Sequence, residues 1–440
     1  YEFSACLVGS EMCIRDRECH GSRRRFRALV ARARVLLIYL CTGSSFGAIA
    51  VRSFLVPLRA HELGVDRLQV GLLSSVSLLL GAALALPVGV ICDRFGRRAV
   101  LAVAIGAGAL SEVLFSMATS LEAMYLAQLL LGLMAGAAQT ALFAALADSV
   151  PAARLGRSIG WLTLSMQFGF LAGPATAGAA LQFLSIRQDL VAGTAVFVLA
   201  LALGLLATSG ERRTGPVAWA ISGPLREVLA AKGFWAVALG LLGAATVWGS
   251  LQAYLPLFAK ETLGLPGPQI GYLIAVQAVF NGLARIPGGR LVDRSPRRGL
   301  LVLVGVLGLA ASVAALPHLR GFWLPALVLA IGAPFSAMAF VAMGVTFGSL
   351  TSARARSVAM GAYGAGLFGG LGLGPALFGG LMRSQGYVAG FTAAALFGVV
   401  MAGAMMAVRA LDRRAGAPAG VSGGVDRPAG APAGVSDPAS

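Results

Sequence analysis

Two residues of opposite charge stand inside apolar segments of this chain, a setting in which charged side chains are rare. Arg52 lies near the end of an apolar segment at roughly 35–58, and Glu112 lies near the end of another at roughly 99–119. If both segments are helices with a rise of ~1.5 Å per residue, the two side chains lie at a similar depth, roughly 9–12 Å from the ends. An isolated charge at the centre of a bilayer costs about 2.5–3.5 kcal/mol on insertion scales, so we expect these side chains to face a cavity or a partner.

Three roles remain open for these two charges. Arg52 and Glu112 could form a structural ion pair, their side chains could extend toward the nearer interface, or they could bind a substrate or a proton. Several uncharged polar or aromatic residues within apolar segments are further candidates for lining a central cavity. They are Gln128, Gln167, Trp248, Gln252, Tyr254, Gln277 and Asn281.

The residue pattern gives little support to enzyme chemistry. The three His and five Cys residues are scattered, without the spacing that metal ligands or a disulfide framework require. We find no nucleophile–base set within the apolar segments and no Gly-rich Lys loop for a nucleotide. The sequence therefore predicts no catalytic residue, no metal and no cofactor.

The composition is that of a membrane protein. Hydrophobic residues make up 58% of the chain and charged residues 12%, whereas about a quarter of the residues of a soluble domain are charged. A helix needs about 20 apolar residues to cross a bilayer, and twelve such stretches occur. They lie at roughly 35–58, 68–91, 99–119, 121–147, 158–184, 190–208, 234–258, 268–291, 299–317, 322–347, 357–382 and 387–408.

The distribution of basic residues predicts the orientation of these helices. The net charge is +17, but most of the 35 Lys and Arg residues fall in alternate loops, on the side shared by both termini. This asymmetry matches the positive-inside rule and predicts that both termini are cytoplasmic. A nucleic-acid surface would not alternate from loop to loop, so we expect the lipid bilayer and not DNA or RNA as the partner.

The two halves of the chain repeat each other at an offset of 200 residues. Gly89–Arg98 reads GVICDRFGRR and Gly289–Arg298 reads GRLVDRSPRR, each between two apolar segments. Upstream, Gly71 aligns with Gly271 and Gly64 with Gly264. A duplicated unit of this kind is how many transporters build a site between two halves.

The first hairpin resembles the signature between helices 2 and 3 of the major facilitator superfamily, and the second stands where that family repeats it. The residues that carry the resemblance are Gly89, Asp93, Arg94, Gly96, Arg97 and Arg98, then Gly289, Asp293, Arg294 and Arg297. The resemblance covers about 35–409 and implies an all-α membrane protein with twelve transmembrane helices in two pseudo-symmetric six-helix bundles.

The resemblance also implies how the hairpins control conformation. In the family the aspartate, here Asp93, meets the start of helix 11, and the arginine, here Arg97, pairs with an acid at the end of helix 4, here Asp148. Contacts made in only one of two states bias the equilibrium between them. The second hairpin departs from the pattern because Pro296 replaces the glycine and residues 348–351 contain no acid. We therefore expect a weaker latch in the second half.

A second matched pattern lies on the fifth and eleventh predicted helices. It consists of Gly169, Gly173, Pro174 and Gly178 in the first copy and of Gly370, Gly374, Pro375 and Gly379 in the second. Small residues at every fourth position let membrane helices pack closely, and proline bends them. The first copy is similar to the motif of proton-coupled antiporters in the superfamily, and generic helix packing is the alternative. Those antiporters often carry an arginine on helix 4 where this chain has Gln128, which cannot hold a fixed charge.

The chain is expected to divide into two helical bundles with further segments before, between and after them. Residues 1–17 resemble translated sequencing-adapter read-through, and 18–34 form a basic cytoplasmic segment. The N-terminal bundle covers 35–208, a cytoplasmic linker 209–233, and the C-terminal bundle 234–409. The Pro-, Gly- and Ala-rich residues 410–440 predict a disordered cytoplasmic tail.

The sequence thus predicts a monomeric secondary transporter of a bacterial inner membrane that works by alternating access. The favoured interpretation is export of a small amphipathic or hydrophobic compound in exchange for protons. The alternative is an uptake symporter or uniporter for an anionic or sugar-like metabolite, with Arg52 as the anchor of an anion. A membrane sensor or an intramembrane enzyme is a weaker alternative.

The predicted orientation can be tested by labelling single cysteines in intact cells. A cysteine at Leu263 should react with a membrane-impermeant maleimide from outside, because the residue is assigned to an outer loop. Cysteines at Ala99 and Gly215 should react only after permeabilisation. Labelling of position 215 in intact cells would contradict the assignment of both termini to the cytoplasm.

Overall fold

The computed structural model of the chain describes residues 2–85, 87–208, 222–295, 297–350 and 356–416. Within these ranges it describes no side chain before residue 30, nor those at 31, 89, 90, 93, 152–157, 222, 224, 356–357 and 413–416. The described residues form helices and no strand. The helices are α1 (Glu2–Glu62), α2 (Arg67–Ala85), α3 (Pro87–Phe95), α4 (Arg97–Met117), α5 (Leu121–Ser149), α6 (Ala152–Ala180), α7 (Ile186–Ala207), α8 (Ser222–Ala230), α9 (Phe234–Glu261), α10 (Gly267–Arg294), α11 (Arg298–Ala315), α12 (Trp323–Ser349) and α13 (Arg356–Gly416).

These helices correspond to the twelve predicted membrane helices. Ten described helical stretches are long and apolar enough to cross a membrane. One of them, in α13, bends at Gly386, where φ is 85°, and therefore holds the last two predicted helices. The 29-residue α6 supplies the remaining helix, and α2 and α3 together form the second one. The prediction of an all-α membrane fold is confirmed.

Several boundaries differ from those predicted. Helix α8 lies inside the predicted linker, of which 209–221 is outside the described residues. Helix α13 continues to Gly416, beyond the predicted start of the tail, and residues 417–440 are not described. Helix α1 reaches back to Glu2, far before the predicted start of the first membrane helix.

The duplication seen in the sequence is repeated in the backbone. The turn between α1 and α2 is made at Gly64, where φ is 72°, and the turn between α9 and α10 at Gly264, where φ is 65°. A left-handed φ suits glycine because it has no Cβ. The aligned glycines therefore close equivalent turns, at the same end of the molecule.

The two halves have separate apolar cores and share a third one. One cluster, which includes Ile105 and Phe197, lies within the first half, and another, which includes Phe234 and Phe347, lies within the second. The third cluster joins the halves around the turns just described. We call this end of the molecule, where α1 leads into α2 and α9 into α10, the sealed end.

Two pseudo-symmetric helix crossings hold the halves together near the sealed end. At one, α2 crosses α13, and a Cβ built on Gly71 would lie only 2.7 Å from the Pro375 carbonyl oxygen. At the other, α10 crosses α6, and a Cβ on Gly271 would overlap the Pro174 carbonyl oxygen. Only glycine permits such backbone contact. Each proline of the repeated pattern therefore meets an aligned glycine, Gly71 or Gly271, of the other half.

The remaining glycines of the repeated pattern pack inside each half. Gly169 and Gly173 of α6 face the backbone of α1, and Gly370 and Gly374 of α13 face α9. The last glycine of each pattern reaches the other half. A Cβ on Gly178 would lie 2.9 Å from the Gly267 carbonyl oxygen, and one on Gly379 would lie 3.3 Å from the Cα of Leu68.

Candidate functional site

Arg52 and Glu112 form an ion pair in the interior of the first half. The Nη1 of Arg52 on α1 lies 3.0 Å from the Oε2 of Glu112 on α4, and both side chains are fully buried. The same Nη1 donates to the carbonyl oxygen of Ser111 at 3.1 Å. Of the roles left open by the sequence, pairing is therefore present, and it neutralises two charges that would be costly to bury singly.

Gln128 completes the surroundings of this ion pair. Its Oε1 accepts a hydrogen bond from Nη2 of Arg52 at 3.3 Å, and its Nε2 donates to the Leu73 carbonyl oxygen at 3.0 Å. The ring of Phe115 covers the guanidinium, with 4.0 Å from Cζ to the ring centroid. Gln128 itself is neutral, but Arg52 of α1 places a cationic group next to it.

The ion pair leaves some buried polar atoms without a hydrogen bond. Among the described residues, Oε1 of Glu112 and Nε of Arg52 have no hydrogen-bond partner. Asp189, in the first turn of α7, is also buried, and its Oδ2 has no partner either. One turn further along α7, a Cβ built on Gly193 would lie 3.8 Å from Oε1 of Glu112, so the start of this helix faces the carboxyl group. Sequence reasoning missed Asp189 because a charge beside a loop is ordinarily solvated.

A second polar cluster joins the two halves at the sealed end. The Oε2 of Glu261, at the end of α9, accepts from Nη2 of Arg67 at 2.7 Å and from the Tyr387 hydroxyl at 2.9 Å. Arg67 begins α2, and its Nη1 donates to the Met382 carbonyl oxygen at 3.2 Å. Its Cζ lies 4.5 Å from the centroid of the Tyr387 ring. This cluster binds α2 of the first half to α9 and α13 of the second.

Further contacts extend this cluster across the sealed end. Nδ1 of His61 lies 3.3 Å from Oε1 of Glu261, and Nη1 of Arg383 lies 3.4 Å from Oδ2 of Asp66. The Tyr254 hydroxyl lies 3.1 Å from the Arg67 carbonyl oxygen and 3.2 Å from that of Pro375, and it can donate to one at a time. Tyr254 was expected to line a cavity, but the structure buries it in the seal.

A third polar network lies where α6 meets α10, deeper in the molecule. Nε2 of Gln167 donates to Oδ1 of Asn281 at 3.2 Å, across the boundary between the halves. Nδ2 of Asn281 donates to the Ser336 hydroxyl at 2.9 Å. The sequence named both Gln167 and Asn281, and the structure brings them together. Of the other three expected cavity residues, Trp248 and Gln252 are half-buried on α9 and Gln277 is buried on α10.

The first hairpin contains the ion pair that the resemblance implied. Nε of Arg97 lies 2.9 Å from Oδ2 of Asp148 at the end of α5, and its Nη1 donates to the Cys92 carbonyl oxygen at 3.1 Å. Gly96 precedes α4 with a φ of 86°, a left-handed value. The surroundings of Gly89 and the side chains of Asp93, Arg356 and Ser357 are not described. The expected contact of Asp93 therefore stays a prediction.

One arginine of the second hairpin lies near a hydroxyl group. Nη1 of Arg298 lies 3.5 Å from the Ser349 hydroxyl at the end of α12. The side chains of Asp293, Arg294 and Arg297 are exposed. The hydroxyl group near Arg298 is neutral, whereas Arg97 of the first hairpin pairs with the carboxylate of Asp148. A weaker latch stays a prediction.

Comparison with known proteins places this architecture in a family. The sequence model of the Major Facilitator Superfamily matches residues 36–275 and 259–434. The chain belongs to the Major Facilitator Superfamily. It is accordingly a multi-pass membrane transporter, and membership of this family argues against an enzyme.

Individual relatives are distant. The tetracycline resistance protein, class B, of Escherichia coli is 33% identical over 110 residues, which are 25% of this chain and 27% of that protein. A bacterial homologue of the human lysosomal transporter Spinster, solved in an inward-facing and unoccupied conformation, is 17% identical with a TM-score of 0.68. The alignment covers 88% of this chain and 97% of that one. The nucleoside transporter NupG, solved as a point mutant, is 16% identical with a TM-score of 0.67, over 85% and 99% of the two chains.

The sealed end should open when Glu261 loses its charge. Glu261→Gln weakens the contacts with Arg67 and His61, which as partly exposed pairs together stabilise the closed state by about 1–2 kcal/mol. We expect a cysteine at Ala177, which is buried in the shared core, to react several-fold faster with a polar maleimide in this variant.

Glu62→Gln is the matched control, because Glu62 pairs with Arg59 on its own helix. Its effect on labelling should be small. Equal rates in the Glu261 and Glu62 variants would show that the cluster does not hold the halves together.

Proposed function

We propose that the protein exports a small amphipathic or hydrophobic compound in exchange for protons, by alternating access across a bacterial inner membrane. In the orientation inferred from the basic loops, both termini are cytoplasmic and the sealed end faces outward. The described conformation is then one that is closed to the outside. In this proposal a single chain is the transporting unit.

The observation that carries the proposal is the burial of Glu112 and the incomplete pairing of its carboxylate. The carboxylate of Glu112 is fully buried, and its Oε2 pairs with Arg52. Its Oε1 has no hydrogen-bond partner among the described residues. Such a carboxyl group can accept a proton on the free oxygen and release Arg52, or lose the proton and pair with Arg52 again. A group that exchanges a proton for an ion pair can link protonation to a change of conformation.

The position of Arg52 supports proton coupling over the anchoring of an anion. Its guanidinium is already occupied by Glu112, Gln128 and the Ser111 carbonyl oxygen, beneath the ring of Phe115. An anionic substrate would have to displace a buried carboxylate to reach it. The arginine that antiporters of this family often carry on helix 4 is replaced here by Gln128, but Arg52 brings a positive charge to the same place.

The distant likeness to a tetracycline resistance protein supports export and suggests the first compound to test. It covers about a quarter of each chain, so tetracycline is a starting compound within a wider panel of amphipathic molecules. Reconstituted protein with an imposed proton gradient would separate export by exchange from uptake and from transport that is not coupled to protons.

Glu112→Gln should separate proton coupling from substrate movement. The amide cannot carry a proton, so we expect gradient-driven flux in proteoliposomes to fall to the background rate. Exchange of labelled for unlabelled compound at equal pH needs no net proton movement and should persist.

Glu122→Gln, which alters a carboxylate in the first turn of α5, serves as the control and should transport normally. Gradient-driven flux at the wild-type rate in the Glu112 variant would exclude Glu112 as the proton carrier. Loss of exchange together with loss of folded protein would point to a structural ion pair.

A further inference from the structure

Arg285 is a second intramembrane cation, in the half of the molecule that the ion pair does not reach. It lies on α10, nine residues before Arg294 at the end of that helix, which places its Cα roughly 13 Å from the end at ~1.5 Å per residue. No described residue forms an ion pair with it, and its side chain is partly buried. A cation at this depth without an acidic partner is costly, and residues of this kind commonly serve a substrate or an ion.

The hydrogen bonds of Arg285 direct it toward the boundary between the halves. Its Nε donates to Oδ1 of Asn281 at 3.2 Å. The same oxygen accepts from Gln167 of the first half at 3.2 Å, and Nδ2 of Asn281 is held by Ser336 at 2.9 Å. The guanidinium is therefore anchored through Nε to a residue that touches both halves. Its two Nη groups form no hydrogen bond with a described residue.

The surroundings of Arg285 combine aromatic surface with this single charge. Tyr363 of α13 is close enough to interact electrostatically with Arg285, and its hydroxyl donates to the Phe340 carbonyl oxygen at 3.3 Å. The Phe340 ring makes an edge contact with Trp248 of α9, with 6.3 Å between the ring centroids. An arginine with free Nη groups beside an aromatic ring, Tyr363, suits a planar anion attached to an apolar body.

We propose that Arg285 binds the anionic group, a carboxylate or a group of similar shape, of an amphipathic organic substrate. The inference rests on the proposed transport function and names the substrate class, while Glu112 remains the proton carrier. The two Nη groups would donate to the two oxygens of the anion, and Asn281 would hold the guanidinium in place. The apolar part of the substrate would lie against Trp248 and Tyr363.

Equilibrium binding to the purified full-length chain in detergent tests the inference without any gradient. The probes are phenylacetate, 2-naphthoate and decanoate, each compared with its uncharged amide by calorimetry and thermal shift. We expect at least one carboxylate to bind about tenfold or more tightly than its amide. Arg285→Gln should remove this preference and leave binding of the amide unchanged.

Two further variants make the result decisive. Arg290→Gln removes an exposed arginine of the same helix and should keep the preference for the carboxylate. Arg285→Lys keeps the positive charge but lacks the planar guanidinium, so it should restore part of the preference for the carboxylate. This variant guards against a glutamine variant that merely folds poorly. Equal binding of acids and amides, no binding of any carboxylate at millimolar concentration, or equal effects of the Arg285 and Arg290 variants would each overturn the inference.

The binding measurement tests the anion site separately from proton coupling. If carboxylates bind through Arg285 but gradient-driven flux is absent, the anion site stands and proton exchange fails. If proton-driven flux is found and the preference for carboxylates is absent, proton exchange stands and the anion site fails.

Discussion

The fold depends on close backbone contact between the two halves. The surrounding lipid provides little hydrophobic driving force for helices to associate. Lipid tails are as apolar as Leu side chains, so helices in a bilayer are held by packing and hydrogen bonds. Gly71 against Pro375 and Gly271 against Pro174 bring four helices together in two equivalent crossings. Because the helices are so close at these crossings, Arg67 reaches Glu261 at the sealed end and Gln167 reaches Asn281 in the deeper network.

The architecture is symmetric, but the chemistry is not. In the aligned segments of α2 and α10, Arg285 corresponds to Ala85 and Asn281 to Gly81. The buried ion pair of Arg52 and Glu112 lies entirely in the first half. The two equivalent halves thus carry a paired charge in one and a single cation in the other. In our account the paired charge serves the proton and the single cation serves the substrate.

The sequence was informative where a signal is local or repeated. Apolar segments predicted the helices, the offset of 200 residues predicted the two halves, and equal depth made a pair of Arg52 and Glu112 one of the open possibilities. The contact of Arg97 with Asp148 followed from the family pattern. The cluster around Glu261 could not be predicted, because its members lie beside loops and Arg67 and Glu261 are 194 positions apart. Tyr254 shows the same limit, since an aromatic residue within an apolar segment gives no sign of whether it lines a cavity or closes one.

The distance across the sealed end tests the central claim, that the two glycine crossings hold the halves together. Spin labels at Leu63 and Ser384 would report this distance in the parent chain, in Gly271→Val and in Gly282→Val. A Cβ at Gly282 meets nothing within 4 Å, so the second variant is the matched control on the same helix. The account predicts a longer distance, or a larger population at long distance, in the Gly271 variant alone. The same distance distribution in all three proteins would contradict it.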